Sequence, residues 1–249
     1  MRSIFLVLLI FSLLTGCADK VIPATQKAQL HADQAEQFMQ KKKYADAIAS
    51  WEKVRDSFQS PELNVLAELK ITEAYYLNGQ YPEATAACEL FLKNHPRHPE
   101  VETVFYRLGM SYYQQILPAE KDQTASKNAI ITFRNLLKRY PETDKANKIK
   151  RHIQTARDRM AEHELQVCRF YLRTNEPLAA QRRFEYLRKN YPEYPIADNI
   201  YFGIGNSYLK QGDRQTAEQL FVLLKENYPD SKYLADIEKL LQNGSNRNN

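Results

Sequence analysis

The sequence predicts an all-α solenoid of five helix-turn-helix repeats, and three observations carry that prediction. The chain of 249 residues has only 7 Gly against 16 Tyr, too few flexible residues for a strand-and-hairpin fold or a Gly-rich phosphate loop. An aromatic residue or His followed by Pro recurs at His95-Pro96, Tyr140-Pro141, Tyr191-Pro192 and Tyr228-Pro229. Twelve residues before each Pro stands Ala84, Ala129, Ala180 or Ala217, and eight before it stands Cys88, Phe133, Phe184 or Phe221.

The spacing has a physical reading. Small residues let two antiparallel helices approach closely, and large ones a turn away fill the gap between successive hairpins. Pro closes the second helix, since it lacks the N–H and restricts its predecessor. The pattern resembles the second helix of a tetratricopeptide repeat (TPR). The last repeat shows it most fully, with Tyr201, Ile204, Gly205, Tyr208, Gly212, Ala217, Phe221 and Pro229. The second has Ile71, Tyr75, Gly79, Ala84, Cys88 and Pro96. The third has Leu108, Gly109 and Tyr112, an insertion around Leu117–Ser126, then Ala129, Phe133 and Pro141. The fourth has Cys168, Tyr171, Ala180, Phe184 and Pro192. The first is degenerate, with Ala35, Phe38, Ala47 and Trp51 and its Pro displaced to Pro61. Such units stack into a superhelix whose first helices line a concave face.

The flanking segments follow. Residues 1–16 read as an export signal, with Arg2 ahead of the apolar run Ile4–Leu14, which is too short to span a bilayer. Leu14-Thr15-Gly16-Cys17 resembles the lipobox of bacterial lipoproteins, in which the chain is cut before the Cys and acylated on it. Cys17 is then the lipid attachment site and 17–27 a linker. Ala18, not Asp, follows the Cys, which by analogy with such lipoproteins favours the outer membrane, facing the periplasm. Repeats one to three occupy 28–142. Thr143–Leu172 shows no turn signal and Ile149, Ile153, Ala156, Met160, His163 and Val167 recur at helical spacing, so one long helix leads into repeats four and five over 143–242. Ser231 can cap a closing helix, Lys232–Leu241, and 243–249 reads as a disordered polar tail.

The remaining thiols, Cys88 and Cys168, fall in core slots two repeats apart, beyond the reach of a disulfide, and read as buried and free. No catalytic or metal-ligand constellation stands out among the five His or elsewhere, so the chain reads as a binding protein without a cofactor. The net charge of +5 is too modest for a nucleic-acid binder. The charge is uneven, however, with fifteen Lys/Arg against seven Asp/Glu from Arg134 to Lys189. That excess is either a set of solvated helix faces or a basic face for an acidic partner or anionic headgroups. Numbering from the repeat motif turns Tyr76, Tyr106, Met110 and Tyr113 inward, with Lys70 and Arg107 beside them. This suits an extended apolar peptide with a terminal carboxylate, or the same residues simply pack between hairpins.

The order of elements resembles the BamD (YfiO/ComL) family of outer-membrane β-barrel assembly lipoproteins. The segments Tyr44-Ala-Asp-Ala-Ile48, Asn94-His-Pro-Arg-His-Pro99 and Asp158-Arg-Met-Ala-Glu-His-Glu-Leu165 carry the likeness over essentially the whole chain. The resemblance implies a scaffold that holds the insertase BamA by its periplasmic POTRA domains, other lipoproteins of the machine, and the C-terminal segments of unfolded outer-membrane proteins. It places partner docking at the fourth repeat, on Arg182, Arg183, Arg188 and Lys189. The chain departs from the family at Asn175-Glu-Pro177, where many members have Gly, and in the missing Pro of repeat one. The other reading is a TPR lipoprotein scaffold of cell division or pilus assembly. Cys17→Ala should release the protein from membranes, checked by fractionation at high salt; a variant that stayed bound would show a second anchor.

Overall fold

A computed structural model describes residues 23–57 and 60–245. Cys17, the signal segment and 246–249 lie outside the described residues. Among them there are eleven helices and no strand: α1 (Ala24–Gln40), α2 (Tyr44–Arg55), α3 (Pro61–Leu77), α4 (Tyr81–Asn94), α5 (Val101–Gln114), α6 (Thr124–Arg139), α7 (Ala146–Arg173), α8 (Pro177–Asn190), α9 (Asp198–Lys210), α10 (Arg214–Asn227) and α11 (Leu234–Ser245). This is the all-α, TPR-like repeat fold expected. The chain forms two compact units, one ending at Gln80 and the other beginning at Tyr81. The expected halves 28–142 and 143–242 follow a different line, drawn by charge and by the joining helix.

The first unit packs α1 to α3. Trp51 is fully buried there among Ala35, Ala47, Ala74, Val54 and Ile71. Pro61, displaced from the end of α2, instead opens α3, where a missing N–H costs nothing, and Ser60 caps it by accepting from the Leu63 amide. In the second unit, α7 to α10 share a core around Leu165, Phe184, Leu187, Ile200, Ile204 and Leu220. Ala217, Phe221 and Leu224 of α10 pack with Ile237 of α11.

Turns within the repeats share one construction. Lys42, Gly79, Asn175 and Gly212 all adopt positive φ, at 57°, 74°, 60° and 86°. The next amide in each, of Lys43, Gln80, Glu176 and Asp213, donates to the carbonyl of Phe38, Tyr75, Tyr171 and Tyr208. That is a helix C-cap which satisfies a carbonyl left open at the helix end. Asn175, the family departure, does the work of Gly there because its short side chain tolerates the left-handed region.

The close helix crossings are real. A Cβ on Gly109 would collide with the ring of Phe133, and one on Gly205 with the ring of Phe221. The Phe of the second helix thus lies against bare backbone of the first. Between repeats a second device recurs. The Tyr75, Tyr112 and Tyr208 hydroxyls donate to Glu52, Glu89 and Glu185, each 23 residues earlier on the preceding helix of its own unit.

The long helix is α7, and the rungs skip its junction with α6, where Arg134 stands in place of Glu. Other contacts join that region. His152 lies between Tyr113 and Phe133, with ring centroids 4.4 and 5.8 Å away. The His163 Nδ1–H donates to the Ala119 carbonyl at 2.6 Å, and Gln166 donates to Glu120 at 3.0 Å, pinning the third-repeat insertion to α7. That insertion ends sooner than the sequence reading has it: Thr124–Ser126 already form the first turn of α6. Ser231 does not cap the last helix. Its hydroxyl donates to Asp198 and accepts from the Tyr233 amide, and α11 starts at Leu234 and runs to Ser245, so 243–245 are helical and not tail.

Gly205→Ala should destabilise the second unit. Overpacking against a ring that has no flexible end to withdraw costs about 1–3 kcal/mol, against the roughly 1 kcal/mol that Ala gains over Gly within a helix. The melting temperature should fall; a rise would show that the ring is free to move aside.

Candidate binding surfaces

In the first unit, Lys70 and Tyr76 are half-buried on α3, and the Lys70 ammonium sits 2.7 Å from Glu36 of α1. A partly exposed pair of this kind contributes about 0–1 kcal/mol, so Lys70 can exchange Glu36 for another carboxylate at little loss. In the second unit, Tyr106, Met110 and Tyr113 share one face of α5, as their spacing requires. That face is covered by neighbours. Met110 is 7% exposed and belongs to the core, which removes it from an open groove. Tyr113 packs on His152, and Tyr106 lies 6.3 Å from Phe133 with Lys145 and Lys148 near its ring at 5.9 and 5.7 Å. Arg107 remains half-buried alongside. Of the expected α5 residues, Tyr106, Arg107 and Tyr113 thus keep partial exposure, while Met110 packs inside. The amines beside Tyr106 come from the start of α7, a contact that no spacing within one repeat could reveal.

The four cations of α8 are exposed but do not make one face. Arg182 and Arg183 line a shallow cleft with Tyr171, Ala179 and Tyr186. Arg188 and Lys189 line another with Glu185, Tyr208 and Leu220. Arg183 donates to Glu164 of α7 at 3.0 Å, and the Arg188 guanidinium lies 5.9 Å from the Phe184 ring centroid. Tyr186, 45% exposed, and Leu178, 56% exposed, add apolar surface to this helix that the charge count does not reveal. In Glu162-His163-Glu164, the three side chains leave α7 in different directions. Glu162 accepts from Arg159, His163 holds the insertion and Glu164 holds Arg183.

Burial governs the ionisable groups. It raises the Tyr112 phenol to about 12, with the hydrogen bond to Glu89 adding to it, and burial and Glu185 likewise push Tyr208 up. Burial lifts the Cys168 thiol to about 12, which leaves it unreactive; Cys88 and Cys168 are both free and buried, as the repeat register requires. His152 is held below its ordinary value, by burial first and then by Lys148 and Arg151. Among the described residues no group of His, Cys, Asp or Glu could hold a metal ion, and no helix is long and apolar enough to cross a membrane.

These features define a class, an all-α repeat protein of TPR type with cationic and aromatic clefts. The family model for YfiO, described as an outer membrane lipoprotein, matches residues 23–220. The chain belongs to this family, which is also that of BamD. Among similar proteins are those named outer membrane protein assembly factor BamD from Vibrio cholerae, 29% identical and covering 76% of this chain and 83% of that one, and from Rickettsia prowazekii, 28% identical and covering 84% and 83%. The Caulobacter vibrioides protein of the same name is 25% identical over 70% of this chain, which spans 57% of its length. Solved structures with the same kind of fold include MamA from Desulfovibrio magneticus, 16% identical, TM-score 0.42, covering 82% and 98%, and the TPR2AB domain of yeast Sti1, 13% identical, TM-score 0.42, covering 89% and 99%.

The raised tyrosines set an alkaline limit. Their folded pKa lies above the unfolded value of about 10, so their contribution is complete below that pH and is lost as pH rises toward 12. Denaturant unfolding followed between pH 9 and 12 should show a steeper loss for the native protein than for Tyr112→Phe with Tyr208→Phe. Equal slopes would mean that other groups govern alkaline unfolding.

Proposed function

We propose that this protein is an outer-membrane protein assembly factor, anchored through lipid on Cys17 to the periplasmic face of the outer membrane. It holds a BamA-like β-barrel insertase through that protein's POTRA domains, together with other lipoproteins of the machine, and receives unfolded outer-membrane proteins for insertion. The observation that carries this reading is the family match over residues 23–220, which spans α1 to the middle of α10. The surfaces support it chemically. Rigid guanidinium groups on α8 suit a folded acidic domain, where forked donors fix orientation. Lys70 and Arg107, near Tyr76, Tyr106 and Tyr113, suit an extended chain with aromatic side chains and a carboxylate.

The two contacts are separable by charge reversal. Lys70→Glu with Arg107→Glu should weaken binding of a barrel protein's C-terminal peptide by about tenfold and spare the POTRA domains. Arg183→Glu with Arg188→Glu should weaken the POTRA domains to a similar degree and spare the peptide. Titration of each variant with both ligands reads this directly. Equal loss of both ligands in each variant, or no loss, would overturn the assignment.

A further inference from the structure

A groove of about 720 Å³ opens in the second unit between the C-terminal half of α7, the start of α9, the insertion ahead of α6, and Tyr233. None of the residues assigned above to the insertase or the substrate lines it. Its floor is apolar, made by Val167, Leu172, Ile200 and the bare backbone of Gly203. A Cβ on Gly203 would lie 2.9 Å from Leu172, so only glycine lets that side chain lie flat and keeps the floor deep. Phe170 stands in the wall with 50% of its surface in solvent, a large apolar ring left uncovered.

Charge decides what can fill it. Arg169 and Arg173 line the groove one turn apart on α7, on the same side of the helix, and neither makes an ion pair among the described residues. The single acid in the lining, Glu120, already accepts from Gln166 at 3.0 Å. A basic segment would be repelled here. A purely apolar one would strip water from two guanidinium groups without replacing it, which is unfavourable. An occupant with carboxylates spaced to meet the two forks satisfies both the floor and the wall.

We infer that this groove docks an extended segment of a partner protein that carries a bulky apolar side chain flanked by acidic residues. The apolar side chain seats over Gly203 against Phe170, and the carboxylates bridge to Arg169 and Arg173. The His163 and Gln166 bonds to the insertion hold one wall in place, so the site is built before the partner arrives. Its volume suits a few side chains and not a folded domain.

The test uses the full chain and three fluorescent synthetic peptides of equal length. One carries Phe and Leu among Asp and Glu, one has Lys in place of the acids, and one has Ser in place of the apolar residues. By anisotropy, the acidic apolar peptide should bind about tenfold tighter than either control. Arg169→Gln with Arg173→Gln should abolish its advantage over the Lys peptide, and Phe170→Ser its advantage over the Ser peptide. Phe170 is half exposed and the two arginines are on the surface, so folding is checked by circular dichroism and should be unchanged. Equal binding of all three peptides, or unchanged preferences in the folded variants, would overturn the proposal. So would a result in which phosphatidylglycerol vesicles, and not the acidic peptide, bind in an Arg169- and Arg173-dependent way. Failure here leaves the insertase and substrate contacts untouched, since those are read on Lys70, Arg107, Arg183 and Arg188.

Discussion

A phenyl ring resting on bare backbone sets the geometry of the repeats. Where Phe133 meets Gly109 and Phe221 meets Gly205, the missing side chain fixes how closely the two helices approach. That approach is what a TPR-type hairpin needs, because neither helix alone can bury its apolar stripe. Once it is fixed, the outer side of each hairpin becomes a defined surface for the next helix. The Tyr–Glu rungs depend on that definition. A phenol on one first helix reaches the carboxylate on the preceding second helix at a constant 23-residue offset, at Glu52–Tyr75, Glu89–Tyr112 and Glu185–Tyr208. Each rung joins neighbours only, so the packing is additive along the array, as nearest-neighbour stability in repeat proteins requires.

The junction between α6 and α7 lies outside that scheme and is held differently. Arg134 takes the place of the carboxylate, and the third-repeat connection is nine residues, 115–123, where the other repeats use three. In compensation, His152 packs between two aromatic rings, and His163 and Gln166 fasten the insertion to α7. Histidine suits both tasks, since its flat ring stacks like an aromatic while its N–H can satisfy a carbonyl. Burial holds His152 toward the neutral form, which suits its place between two rings.

The repeat register was legible because it rests on local sterics. Ala, Phe and Pro at fixed spacing have one inexpensive arrangement, and the helices fall where that spacing puts them. The left-handed turn residues were half legible. Gly79 and Gly212 announce themselves, and Asn175 is a tolerable substitute, but Lys42 carries no sign that it will adopt φ 57°. The fate of the α5 face was not legible. Tyr106, Met110 and Tyr113 share a side of their helix by spacing, yet only the placement of α6 and α7 shows that Met110 is inside. Ser231 failed as a cap for a similar reason, because Asp198, distant in sequence, competes for its hydroxyl. The groove over Gly203 was invisible because its walls come from four separate stretches of chain.

The basic excess between Arg134 and Lys189 resolves once partners are assigned. Arg139 donates to the Pro96 carbonyl and lies near the rings of Phe105 and Tyr140. Arg157 donates to the Asn190 carbonyl and lies beside Tyr191, fastening α7 to the end of α8. Arg183 is shared with Glu164. These guanidinium groups serve the fold, since a planar fork can bond a carbonyl and stack on a ring at once. Arg169, Arg173 and Arg182 hold no ion pair among the described residues, and all three lie beside aromatic surface, at Phe170 or Tyr186. A cation that stabilises nothing internally, next to a ring that buries nothing, contributes only when something outside the chain covers both. The local positive charge is thus two populations, and the second, smaller one is where this family member has surface to spend on partners.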